Sequence, residues 1–115
     1  MRYLMLIYGN EAQWNSLTPD QLAALIDEVD AFNAALDESG ELLGADGLVP
    51  RARAVRMGQD GPVVTDGPYL EVKEFVGSYF VVDVDDDARA VEIARSYPGL
   101  RYGGNVELWP LLSRR

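Results

Sequence analysis

The chain contains neither cysteine nor histidine. Without cysteine there is no disulfide, no thiolate zinc site and no cysteine nucleophile, and an intracellular, cytoplasmic location is expected. Without histidine, the commonest metal ligand and the commonest general base at neutral pH are both missing, so neither a metal nor a cofactor is expected. Positive charge is also scarce: ten Lys and Arg stand against nineteen Asp and Glu, for a formal net charge of −9. That balance disfavours direct nucleic-acid binding, which draws on clustered Lys and Arg. Long apolar runs are lacking as well. Arg2 to Tyr8 is too short to span a membrane and leads into Gly9-Asn10-Glu11 with no small-residue cleavage site, so it reads as a first strand and no membrane partner is expected. With no repeat, low-complexity tract or linker, residues 1–115 are expected to form a single domain.

What the chain does have is concentrated between Thr65 and Asp85. Pro68 is expected to push Gly67 toward an extended conformation, and Asp66 is expected to cap the turn, so Asp66 to Tyr69 reads as a rigid corner. Glu71, Lys73 and Glu74 follow as a charged run. From Phe75 to Val84, alternation sorts Phe75, Gly77, Tyr79 and Val81 onto one face and Val76, Ser78, Phe80, Val82 and Val84 onto the other. Both faces are mainly apolar, so this strand must be covered on both sides. Arg2 to Tyr8 has the same property, with Tyr3, Met5 and Ile7 opposite Leu4, Leu6 and Tyr8.

Between these strands, Asn10 to Ser16 reads as a polar connection in which Trp14 is a loop anchor or, alternatively, a pocket wall. Thr18, Pro19 and Gln21 spell a capping box with proline at the first helical position. Leu22, Leu25, Ile26, Val29, Phe32 and Leu36 then recur at helical spacing as the core face, with Asp20, Asp27, Glu28, Asp30, Asp37 and Glu38 on the solvated one. Ser39-Gly40 ends the helix. Leu42 to Ala45 is a short strand, and Ala52 to Met57 with Pro62 to Thr65 a hairpin turning at Gly58 to Gly61. The hairpin region carries Arg51, Arg53 and Arg56, a basic island that either polarises a sheet edge, holds an anion or neutralises Glu71 and Glu74. Asp85 to Asp87 reads as the cap of a second helix rather than a calcium loop, since the glycine and distant Glu of such a loop are missing. Ala88, Val91, Ile93 and Ala94 are expected to face the sheet. The chain closes on a strand from Val106 to Leu112, which Pro110 assigns to an edge.

With the hairpin set aside, the order is β-α-β-β-α-β, an α+β ferredoxin-like arrangement: an antiparallel sheet with two helices on one face. That topology centres the first and third core strands, the two that are apolar on both faces. The sheet's other face would be left open, and a second copy of the chain is its simplest cover.

The stretch D66-G-P-Y-L-E-V-K-E74 closely resembles the D-G-P-F-x-E-x-K-E signature of DGPF-domain proteins in the YCII-related family. The likeness extends to R2-Y-L-M-L-I-Y-G, G77-S-Y-F, D83-V-D-D and V106-E-L-W-P, nearly the whole chain. The resemblance implies a dimeric α+β barrel, in which two ferredoxin-like sheets face each other around a cleft. It also implies candidate enzymes built on a histidine and aspartate pair, and association with extracytoplasmic-function sigma factors. This chain departs from that pattern. Tyr102-Gly103 stands where many members carry His-Gly, and Trp109 where arginine is common, so no histidine-based dyad can exist.

The residues left to carry a site are Asp66, Glu71, Glu74 and Glu107 as carboxylates, Lys73 as a cation, and Tyr79 and Tyr102 as hydrogen-bond donors. Each also has a plain structural use: a corner cap for Asp66, ion pairs for the Glu and Lys run, core packing for Tyr79. Catalytic roles are not assigned. Two functions are compatible with the residues: a homodimeric small-molecule-binding protein or enzyme with a cleft near the Asp66-Gly67-Pro68 corner, and a non-catalytic dimeric regulatory module, by resemblance one linked to a sigma factor.

Overall fold

A computed structural model describes residues 1–49, 51–67 and 74–112. The elements run β1 (Arg2–Asn10), α1 (Glu11–Ser16), α2 (Pro19–Glu38), β2 (Leu42–Gly47), β3 (Arg53–Gly58), β4 (Gly61–Asp66), β5 (Glu74–Asp83), α3 (Asp87–Arg95), a short 3-10 helix (Pro98–Tyr102) and β6 (Asn105–Pro110). Four strands form an antiparallel sheet in the order β2-β5-β1-β6, while among the described residues β3 and β4 pair only with each other. With the hairpin set aside, this is the ferredoxin-like order expected from the sequence. The doubly apolar strands β1 and β5 hold the centre, and Pro110 sits on an edge where its missing N–H costs no ladder bond.

Tyr3, Met5 and Ile7 point from β1 into the core with Phe80 and Val82 of β5. Helices α2 and α3 cover this face through Leu36, Ala90, Ile93 and Ala94, and Phe32, Phe80 and Tyr97 stack edge and face at centroid distances of 5.5 to 6.2 Å. The Tyr3 hydroxyl donates to Asp87 at 2.8 Å, which ties the first strand to the start of α3. Glu28 of α2 pairs with Arg101 of the 3-10 helix.

The capping box at Thr18 and Gln21 forms with both of its bonds, and Asp86 caps α3 by accepting from the Arg89 N–H at 2.9 Å. Elsewhere the structure corrects the sequence reading. Asn10 to Ser16 is not a loop: Asn10 accepts from the Ala12 N–H and starts the six-residue α1. Leu22 and Ile26 were expected in the core, yet both are exposed, and Leu25 between them is the position of this half of α2 that is buried. Ala88 and Val91 are exposed too, because Ala90, Ile93 and Ala94 are the positions of α3 that face the sheet.

Alternation also fails within β5. Ile7 pairs with Ser78 but Tyr8 with Val76, so Gly77 is an extra residue, a bulge that reverses the side-chain phase. Gly67 has φ of +87°, a left-handed rather than an extended conformation, and its N–H donates to the Ala52 carbonyl at 2.8 Å. A left-handed residue costs a glycine little, so the corner bends through Gly67 itself.

Candidate functional site

Among the described residues nothing covers the sheet face away from the helices. Leu4, Leu6 and Tyr8 of β1 lie on it between two neighbouring strands. Leu4 is opposite Val81 and Trp109, Leu6 opposite Tyr79 and Glu107, and Tyr8 opposite Val76 and Asn105. The face is therefore an apolar floor with polar groups set into it. A broad depression of about 870 Å³ opens over one end, lined by Leu4, Leu6, Trp109, Pro110 and Leu112 among others.

Glu107 is the focus of the polar set. Its Oε1 accepts from the Trp109 indole N–H at 2.6 Å and from the Tyr8 hydroxyl at 3.3 Å. The Trp109 bond is a strand-local contact, since residues two apart share a face; the Tyr8 bond is a diagonal reach between strands. Burial, and then the Glu107 charge and hydrogen bond, push the Tyr8 hydroxyl above its ordinary value, so it stays a neutral donor. Across Leu6, the Tyr79 hydroxyl lies 3.4 Å from an Asp46 carboxylate oxygen, a long contact at the β2 edge. The face thus offers two carboxylates, three aromatic rings and an apolar floor. Such a surface can receive a flat molecule and accept its hydrogen bonds, and it disfavours anions.

The residues expected from the sequence fall in different places. Glu107 and Tyr79 share the open face, on opposite sides of Leu6. Tyr102 instead lines a small cavity of about 50 Å³ with Asn10, Gln13, Trp14 and Ser78. Trp14 is thus a wall of this cavity, and its indole lies so near Gly9 that a Cβ there would meet Nε1 at 2.6 Å. Asp66 ends the separate hairpin, fully exposed, with Arg53 at 4.0 Å as an ion-pair partner. Pro68, Glu71 and Lys73 lie outside the described residues, and Glu74 is described only as the first backbone position of β5. Tyr8, Trp109 and Asp46 were not among the expected residues. The i, i+2 spacing of Glu107 and Trp109 could have joined that pair, but Tyr8 and Asp46 enter only through strand register.

Among the described residues no three acidic side chains converge in a way that could hold a metal ion, and no helix is long and apolar enough to cross a membrane.

An uncharacterised protein of Rhizobium meliloti (strain 1021) is 25% identical over 114 residues, 96% of this chain and 92% of its own length. Among solved structures the chain is similar to 5-chloro-2-hydroxyhydroquinone dehydrochlorinase from Burkholderia phenoliruptrix AC1100, in complex with 2,5-dihydroxybenzoquinone. That likeness has a TM-score of 0.43 and 18% identity, over 96% of this chain and 94% of the other. The model of the YCII-related domain matches residues 1–111, and the chain belongs to that family.

Proposed function

We propose that the protein is a cytoplasmic homodimer in which the open faces of two sheets meet around a site for a small planar molecule. The ligand is uncharged or cationic and carries hydrogen-bond donors, with Glu107 as their main acceptor. One observation carries this reading: Glu107 gathers the Trp109 indole and the Tyr8 hydroxyl on an otherwise apolar, uncovered face. A monomer seldom leaves so wide an apolar face to water, and an apolar pocket with a few convergent polar groups is the usual form of a ligand site. Glu107 is also the group placed to accept a proton if the bound molecule reacts.

Asp66, Glu71, Lys73 and Glu74 remain candidate contacts at the rim, with Tyr102 behind β1. The reading is tested by light scattering and by a thermal-shift screen of planar amines, phenols and heterocycles against the wild type and Glu107→Gln. A dimer whose ligand-induced stabilisation disappears in Glu107→Gln supports it. Equal stabilisation of both proteins, or a wild-type monomer at micromolar concentration, overturns it. Asp66→Asn and Lys73→Met divide the rim: lost binding in an intact dimer makes them contacts, and unchanged binding leaves them structural.

A second reading draws on exposed Leu22 and Ile26, one turn apart on α2. A non-catalytic regulatory dimer could seat a protein there, with an extracytoplasmic-function sigma factor as the partner that family resemblance suggests. Crosslinking through a photoreactive residue at position 26 that gave only self-adducts would count against it.

A further inference from the structure

We infer that the β3–β4 hairpin is an arm that embraces a second copy of this chain, covering its apolar ribbon against the partner. This rests on the dimer reading above and adds the arm to it. The hairpin is a two-stranded sheet by itself. Its register pairs Val55 with Val64 and Met57 with Pro62 on one face, beside Arg53 and Asp66. Those apolar side chains are open to water within one chain: Val55 is 65% exposed, Met57 76% and Val64 60%. Leu48 and Val49, which lead toward the arm, are exposed as well.

A two-stranded hairpin is at best marginally stable in water and needs a third strand or a packed face. Among the described residues of its own chain nothing covers this face. The radius of gyration is 16.3 Å, against about 13 Å expected of a compact chain this long. Among the described residues the arm's strands pair with each other and not with the four-stranded sheet.

Charge selects the occupant. Three of the ten basic residues, Arg51, Arg53 and Arg56, but only two of the nineteen acidic ones, Asp60 and Asp66, lie on residues 51–67. The arm is thus net positive on an acidic protein, so the arms of two copies repel each other while each is drawn to the acidic body of the other copy. That body presents what the arm needs at the Leu4 and Val81 end of its open sheet face, where Asp83 adds a carboxylate, which leaves the Glu107 end to the sheet-to-sheet cleft. A symmetric pair of such contacts closes a dimer with no further partner.

The test compares wild type with Val55→Ser/Met57→Ser by sedimentation equilibrium over a dilution series. Loss of the packed ribbon is expected to weaken the dimer about tenfold or more, as removal of buried interface anchors does. A variant that dissociates like the wild type overturns the arm and leaves the sheet-to-sheet dimer standing. A wild type monomeric throughout overturns the dimer itself, and the arm with it. If the double variant does not fold, Met57→Cys provides the readout, because the chain has no other thiol. Its reaction with a disulfide reagent is expected to be slow in the dimer and fast after dilution to monomer. Reactivity that is the same at every concentration, whether fast or slow, overturns the arm.

Discussion

Arg89 holds Glu41 through two parallel hydrogen bonds, from Nε to Oε2 at 2.8 Å and from Nη2 to Oε1 at 2.7 Å, joining α3 to the residue that precedes β2. A planar guanidinium matches a carboxylate in this way and an ammonium does not. Glu92 takes a third bond from the same guanidinium at 2.5 Å.

This contact sets an acid limit on the fold. The Arg89 hydrogen bonds outweigh the opposing effect of burial and, with Ser39 and the Arg89 charge, bring the Glu41 carboxyl from its ordinary 4.5 to about 2. A lowered folded-state value means that the stabilisation is complete above pH 4.5 and is lost as pH falls through 2. Urea midpoints measured across that window are expected to decline in the wild type and to decline less in Glu41→Gln. At neutral pH, Arg89→Lys is expected to cost about 1 kcal/mol, no more, because the pair is partly exposed and solvent screens it.

Thr18 and Gln21 reciprocate at the start of α2, the Thr18 hydroxyl accepting from the Gln21 N–H at 3.1 Å and the Gln21 carboxamide from the Thr18 N–H at 2.9 Å. Thr18→Ala is expected to lower unfolding free energy by about 1 kcal/mol. In a double-mutant cycle with Gln21→Ala, the two losses are expected to be less than additive, since each change disrupts the same box.

Ile93 is 1% exposed between α3 and the sheet. Ile93→Ala removes methylene contacts and leaves a void, for an expected loss of about 2 to 5 kcal/mol in chemical denaturation. Val91→Ala, on the exposed side of the same helix, serves as the control and is expected to change little.

Tyr8 reports on the candidate site directly. Glu107→Gln removes the charge and is expected to lower the Tyr8 titration in an absorbance-monitored alkaline series. The value should remain above 10.0, because burial is the larger cause of the shift. A titration unmoved by the substitution would separate Tyr8 from Glu107 in solution.

Local chemistry was readable in the sequence, and long-range register was not. The Thr18 cap is complete within four residues, and the two central strands declare themselves by being apolar on both faces. By contrast, α1 is too short to be stable alone, and Trp14 against Gly9 is the contact that accompanies it. Periodicity groups Leu22 and Ile26 with Leu25 but does not reveal that of the three Leu25 alone is buried. Glu107 was found as a carboxylate on a strand. Its meeting with Tyr8, 99 residues away in the chain, depends on how β6 pairs with β1.

The extra residue at Gly77 makes β5 two half-strands in opposite phase. Beyond it, Tyr79 and Val81 look into the open face; before it, that role passes to Val76, while Phe75 turns back toward Gly9. Were Gly77 instead paired with Tyr8, Val76 would move opposite Gly9 on the helix side and Phe75 opposite Asn10 on the open face, so a single unpaired residue decides whether the ring leans on the helices or fills the cleft.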